Sequence, residues 1–264
     1  RVGSNTAGNL LISQDLPPAG TDALHLIAGG EVAQSAPLAI ANLAVTAQGA
    51  VVLNDVNTVQ PLAGEVTGQN YPFMFTNYGG LIVGNVDAVV GVTTNGGDIV
   101  IVANSPLTIR DAVRCLGGGN IILTASNDGG DDDHLTVEAP VQAVGGDGDI
   151  VLNAGTNLFI SDSGTAVDIS VTGTGTITTN ASNMTVINEG VTIQSFEGAI
   201  SLNTNDLQLS PVGTSVVSDA GTISISPTTP GVTIDIGTDS SGSLGLTESE
   251  LNCLSASTVV IGGD

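Results

Sequence analysis

The sequence predicts an all-β chain wound as a right-handed parallel β-helix, a β-solenoid of about 10–12 rungs. Three observations carry this. Short strands of one design recur behind turns: Asp98-Ile99-Val100-Ile101, Asn120-Ile121-Ile122-Leu123, Asp149-Ile150-Val151-Leu152, Thr176-Ile177-Thr178, Ala199-Ile200-Ser201-Leu202 and Thr222-Ile223-Ser224-Ile225. Their starts are spaced by about 22 to 29 residues, the period of solenoid rungs. The composition suits a narrow aliphatic interior, with 36 glycines in 264 residues, 2% aromatics and no tryptophan. Stacked rungs place equivalent Val, Ile and Leu side chains above one another about 4.8 Å apart, so they fill such a core without large rings. Handedness follows from the rule that parallel crossovers are right-handed.

The elements follow in order. Residues 1–97 carry strand candidates at looser spacing: 9–12, 23–27, 43–45, 50–53, 73–75 and 81–83. Pro17-Pro18 and Asn70-Tyr71-Pro72 read as turns. Residues 98–264 hold the regular rungs. A second alternating strand follows each lead strand, with inward residues expected at Leu107 and Ile109, Leu135 and Val137, Leu158 and Ile160, Met184 and Val186, Leu207 and Leu209, then Val232, Ile234 and Ile236. Two or three strands per coil are expected. Ala103, Ala125 and Ala154 recur in one frame, as a small residue would where the coil turns tightly. Pro211, Pro227 and Pro230 fall between strands, where a missing amide donor does little harm. One short helix is expected near 247–254, because Thr247-Glu248-Ser249-Glu250 fits a capping box beside Leu246, Leu251 and Leu254. Nothing marks a domain break, so 1–264 reads as a single continuous module.

Charge narrows the partners. There are 26 acidic residues against three arginines and no lysine, a formal charge of -23. Nucleic acid is not an expected partner, since phosphate neutralisation needs clustered cations. The absence of lysine also excludes Lys-Asn and Lys-Asp isopeptide cross-links. Cys115 and Cys253 lie several rungs apart by this reading, beyond disulfide reach, and are expected to be free buried thiols. No run of about 20 apolar residues is present, so no membrane insertion is expected. Arg1-Val2-Gly3-Ser4-Asn5 is not a signal peptide, so an excised segment or processed chain is expected. Those five residues can be laid on Val260-Ile261-Gly262-Gly263-Asp264, which suggests one period of roughly 260 residues in a longer array.

The segment Leu244-Gly245-Leu246-Thr247-Glu248-Ser249-Glu250-Leu251-Asn252, followed by Ala256-Ser257-Thr258-Val259-Val260-Ile261-Gly262, resembles a recurrent element of giant bacterial surface proteins with filamentous-haemagglutinin-like β-helical repeats. Val66-Thr67-Gly68, Phe73-Met74-Phe75-Thr76, Leu81-Ile82-Val83-Gly84-Asn85-Val86-Asp87 and Gly91-Val92-Thr93-Thr94-Asn95-Gly96-Gly97 are similar to elements that precede it in such arrays. The resemblance implies a β-helix that is secreted or held at the bacterial cell surface, with an adhesive or scaffolding role and no reaction. This chain departs from the pattern at Cys253, where a basic or polar residue often follows Leu-Asn.

Few constellations carry chemistry. Asp128, Asp131, Asp132 and Asp133 lie on one glycine-containing turn, and Asp147 and Asp149 on another roughly one coil later. Hard oxygens on flexible turns suit Ca²⁺, and stacking of the turns would bring both groups to one ion. No cofactor is otherwise expected. A polysaccharide lyase or hydrolase on the same scaffold would need Arg110, Arg114 and the Asp131 to Asp133 cluster to converge. Alternation places Tyr71, Phe73 and Phe75 on one face, as a plug for a wide rung rather than a sugar platform. His25 and His134 are isolated, too few ligands for zinc. The expected function is therefore structural: a module of an extracellular bacterial fibre or adhesin, stacking on neighbouring copies through its open ends. The alternative is a carbohydrate-active enzyme or a module binding a cell-surface glycan or protein.

Overall fold

The computed structural model describes residues 1–16, 22–130, 132–240 and 242–262. The expectations placed on Pro17, Pro18, Asp131, Gly263 and Asp264 lie outside them. The chain is a parallel β-solenoid of about 10 turns, with one 27-stranded sheet running through it. Each turn contributes to three faces. The first face stacks Leu24–Ala28, Leu43–Ala47, Leu62–Gln69, Val92–Asn95, Val113–Cys115, Val141–Ala143, Ile169–Val171 and Thr192–Ser195. The second holds the recurrent lead strands, from Leu10–Ile12 through Ile99–Ala103, Ile121–Ala125, Ile150–Ala154 and Ile177–Ala181 to Ile200–Asn203. The third stacks Leu81–Val83, Leu107–Ile109, Leu135–Val137, Asn157–Ile160, Met184–Ile187 and Asp206–Leu209. Two long strands, Ser215–Ser226 and Leu254–Ile261, bend from the first face onto the second.

Inward positions form aliphatic ladders. Ile99, Ile121, Ile150, Ile177 and Ile200 stack in register and are fully buried, as are Ala103, Ala125, Ala154 and Ala181 at the corner. Burying one such Ile or Leu side chain contributes about 1.5–3 kcal/mol, so the core ladder is the main source of cohesion between turns. Outward positions carry polar ladders. Asn153 donates to Thr124 at 3.1 Å, Asn180 to Asn153 at 2.8 Å, Asn203 to Asn180 at 2.9 Å, and Ser226 to Asn203 at 2.8 Å.

The corner between the first and second faces explains much of the glycine. A Cβ on Gly175 would lie 2.3 Å from the Gly148 carbonyl oxygen, and one on Gly198 would lie 2.0 Å from that of Gly175. Gly119 and Gly148 repeat the approach. Inward hydroxyls and one thiol tie the same corner: Ser195 donates to the Gly175 carbonyl and Ser218 to that of Gly198, both at 2.9 Å. Cys115 takes this role three turns below Ser195, its Sγ donating to the Gly97 carbonyl at 3.5 Å and accepting the Gly119 N–H at 3.2 Å. The thiol is thus a corner tie. Both cysteines are free and buried, five rungs apart on the first face.

The structure corrects two expectations of register. Thr185 and Ile187, not Met184 and Val186, face the core, because Thr185 lies between Leu158 and Leu207, and Ile187 between Ile160 and Leu209. Neighbours on both sides fix the face, and a slip of one residue would have exposed Ile187. The segment containing Val232, Ile234 and Ile236 does not continue the third-face ladder. Thr233–Ile236 pairs instead with Ser243–Leu246, which packs beside Asp206–Leu209. The turns within residues 1–97 vary in length: the first face steps by 19 residues from Leu24 to Leu43 and Leu62, while the second steps by 22 from Leu10 to Val32, 19 to Val51 and 22 to Phe73.

The aromatic group divides. Phe73 and Phe75 are fully buried in the second face, while Tyr71 precedes the strand and is half-exposed. Gly64 makes the space: a Cβ there would sit 2.2 Å from the Phe73 ring.

Candidate functional site at the two open ends

The last described turn ends in an aliphatic ladder. Leu254, Val259 and Ile261 continue the inward ladders of Val216, Ile223 and Ile225, and among the described residues no rung lies above them. Val259 is 41% exposed although its neighbour Ile223 is fully buried. The third face ends differently. Ile234 and Ile236 lie opposite the buried Leu244 and Leu246 on the outer side of Ser243–Leu246, so they point the same way yet Ile236 is 55% exposed. The terminal surface is thus an aliphatic disc of Ile234, Ile236, Leu254, Ala256, Val259 and Ile261. Its rim strand, Leu254–Ile261, carries no charged residue and leaves its outer edge without a ladder partner among the described residues. Such an edge is a template for a further strand.

A short helix holds this end in place. Glu248–Leu251 starts from Thr247, whose amide and hydroxyl both donate to the Glu250 carboxylate, at 2.9 and 2.8 Å. The other oxygen of Glu250 accepts the buried Leu209 N–H at 3.1 Å. One carboxylate therefore closes the capping box and satisfies an amide on the edge of the third face. Burial, and then the nearby Glu250 charge, push the Cys253 thiol above its ordinary value. On the outer strand Asp235 points away from the disc, its carboxyl held below the ordinary range by the Ser240 and Thr238 hydroxyls. Asp206 goes the other way: burial raises it, against a hydrogen bond from Gln208 and with further raising by Asp239 and Glu250.

The first turn is open as well. A cavity of about 550 Å³ is lined by Val2, Leu10, Ile12, Leu16, Leu24 and Leu26, the inward side chains of the first rungs. Val2 stacks on Leu26, Leu10 on Val32 and Leu16 on Leu38, so all three faces supply this floor. Beside it a hairpin, Asn85–Val86 with Val89–Val90, leaves the main sheet between two rungs and folds back over the first face. Asp87 and Ala88 take positive φ at its tip. Val86 and Val89 cover Ala44 and Ala63, small residues that let the hairpin lie close. Asp87 then reaches the buried His25 at 2.8 Å and Arg1 at 2.7 Å, and His25 binds Thr46 at 2.9 Å. The Arg1 hydrogen bond first, and then that of His25, hold the Asp87 carboxyl well below the usual carboxylate range.

The acidic turns are not brought together. Asp128, Asp132 and Asp133 lie between Ile121–Ala125 and Leu135–Val137, at the corner of the second and third faces. Asp147 and Asp149 lie between Val141–Ala143 and Ile150–Ala154, at the corner of the first and second. The turns occupy different edges because two strands, Leu135–Val137 and Val141–Ala143, separate them. Asp147 accepts Thr174 N–H at 2.9 Å, and Asp149 accepts the Thr176 amide and hydroxyl at 2.7 and 2.8 Å, so both act as ladder acceptors. Among the described residues no three carboxylate, imidazole or thiol groups are gathered around one point. Arg110 faces Glu138 at 3.6 Å, and Arg114 stacks outward between Thr93 and Gln142 on the first face. Neither arginine meets the acidic corner. His134 binds Thr156 at 2.8 Å and stands edge-on to Phe159.

The uncovered Ile234 and Ile236 were misassigned from sequence, where their alternation read as an ordinary rung. The loop Gly237 to Gly242, too short to wrap a turn, was the available signal. The aligned ends also fall on different faces, Val2 on the first and Ile261 on the second, so their likeness is not a shared strand position. No protein-family model, no characterised protein and no solved structure matches the chain.

Proposed function

We propose that this chain is a structural module of an extracellular bacterial fibre or adhesin that stacks head to tail on further copies through its open ends. The observation that carries the reading is that the first and last described turns carry aliphatic ladders in matching register, each bordered by a strand edge. A second copy placed over the last turn would set its Val2 above Leu254–Ala256 and its Leu10 above Val259. The parallel ladder would continue, and both discs would leave water. The resemblance of residues 244–262 to surface-protein repeats supports the extracellular setting, as does a charge that keeps single copies apart at low salt. No reaction is assigned.

Sedimentation velocity and electron microscopy test this. Long rods one module wide are expected at high protein concentration in 0.5 M salt, where the screening length is about 4–5 Å, and shorter species at low salt. Val259→Asp should leave the fold intact and hold the chain monomeric. Monomers under all conditions, or rods unchanged by Val259→Asp, would refute stacking through the discs.

A second reading has its own observation. Near the first turns an open groove of about 560 Å³ runs along the glycine corner, lined by Asn9, Glu31, Gln48, Thr67 and Tyr71. Gly68 leaves room for the Tyr71 ring to lie against the backbone. Amides, a carboxylate and one exposed ring suit a saccharide. Glycan-array binding by the monomer that is lost in Tyr71→Ala would support this reading, and an unchanged profile would remove it.

A further inference from the structure

Asp133 is the most deeply buried carboxylate near the acidic corner, 1% exposed, and its Oδ2 has no hydrogen-bond partner. Its backbone is firmly placed: the Asp133 carbonyl accepts the Thr156 amide at 2.7 Å and hydroxyl at 3.0 Å. The side chain is buried. It lines a cavity of about 270 Å³ together with Ser105, Pro106, Asp128, Gly130 and Asp132. The point where a Cβ would stand on Gly130 lies 3.1 Å from Asp128 Oδ1 and 4.0 Å from Asp133 Oδ1, so the two carboxylates face one small space across a residue without a side chain. Asp128 Oδ1 already accepts the Gly130 amide at 3.0 Å, which fixes its direction. Ser105 is tied to the same turn, donating to the Asp132 carbonyl at 3.1 Å. Among the described residues no arginine or histidine is paired with any of these aspartates.

A buried carboxylate oxygen with neither donor nor counter-charge is costly unless a cation compensates it. The surroundings favour a cation, because the other lining side chains are hard oxygen donors with no nitrogen or sulfur among them. We propose that this corner binds Ca²⁺, with Asp128 and Asp133 as the anchoring ligands and Ser105 and water completing the shell. This site is one turn only, independent of Asp147 and Asp149. It joins the corner after Ile99–Ala103 to the corner after Ile121–Ala125, so the ion would fasten adjacent rungs. Two fixed carboxylates and a partly open cavity suit a weak site, with half-saturation at about 0.1–1 mM, as in extracellular modules. Mg²⁺, which demands tighter octahedral geometry and dehydrates reluctantly, should compete poorly.

The test is calcium titration of the full chain by calorimetry and Tb³⁺ luminescence, with thermal unfolding in 10 mM Ca²⁺ and in chelator. One saturable site per chain and an unfolding midpoint raised by about 2 °C or more are expected. Asp133→Asn should lower affinity at least tenfold. Since this buried change tests folding too, the exposed Asp128→Asn is the second variant, expected to weaken binding while circular dichroism stays unchanged. Glu197→Gln, an exposed acid elsewhere, should bind as the parent does. Absence of saturable binding up to 10 mM, or equal affinity in parent and both aspartate variants, would overturn the site.

Discussion

Alanine at position 198 should force two adjacent turns apart. The added Cβ would stand 2.0 Å from the Gly175 carbonyl oxygen, where real contacts stay above 3.0 Å. The obstacle is backbone, so no rotamer relieves it, and the turns must separate locally by about 1 Å in a core packed to crystal density. Overpacking of this kind costs about 1–3 kcal/mol. The same Gly175 oxygen accepts the Ser195 hydroxyl at 2.9 Å, and displacing it forfeits about 0.5–1.5 kcal/mol more. The expected loss is about 2–4 kcal/mol, read from urea unfolding followed by far-ultraviolet circular dichroism. Two other glycines separate the causes. Gly231 has open space but φ +86°, so Gly231→Ala should cost about 1–2 kcal/mol through conformation alone. Gly8 has open space and no positive φ, so Gly8→Ala should be neutral or stabilise by up to about 1 kcal/mol. If Gly198→Ala lies within about 0.5 kcal/mol of Gly8→Ala, the close approach of corners is not what demands glycine there.

Three further outcomes are expected. Because folding depresses the Asp87 carboxyl, its contribution is fully present above the ordinary carboxylate pKa of about 4 and is lost as pH falls below it; Asp87→Asn should flatten that acid limb in pH-dependent melting, and hydrogen exchange at residues 85–90 should rise below pH 4. Glu250→Ala should cost about 1–3 kcal/mol by stranding the buried Leu209 amide and opening the capping box, with fast exchange of that amide as its specific signature. Asp206→Asn should stabilise at neutral pH, and the gain should shrink on acidification, since burial raises this carboxyl and its charged form opposes folding; a constant difference across pH 4 to 8 would contradict that account.

Much of the fold is legible because the solenoid repeats one local instruction. Ile99, Ile121, Ile150, Ile177 and Ile200 each follow a turn and each begin an alternating strand, and identical strands stack best in identical register. The capping box at Thr247 and Glu250 is equally local, and it is present. The first-face strands are harder to see. Thr192–Ser195 and Ser215–Ser218 turn small hydroxyls inward, where Ser195 and Ser218 bind corner carbonyls, so their pattern lacks the hydrophobic alternation that marks a strand. The phase error at Met184 has the same root, since Thr185 is buried only because Leu158 and Leu207 fix its position.

The sequence by itself determined the coil, its aliphatic interior and its acidic surface, because each depends on short-range alternation, turn residues or composition. Tertiary structure decided what lies across turns and edges. It sent Asp128 and Asp147 to different corners, since corner identity depends on the number of strands between two residues and not on their separation in the chain. It folded Asp87 back onto His25, 62 residues earlier, through a hairpin whose own residues give no hint of that partner.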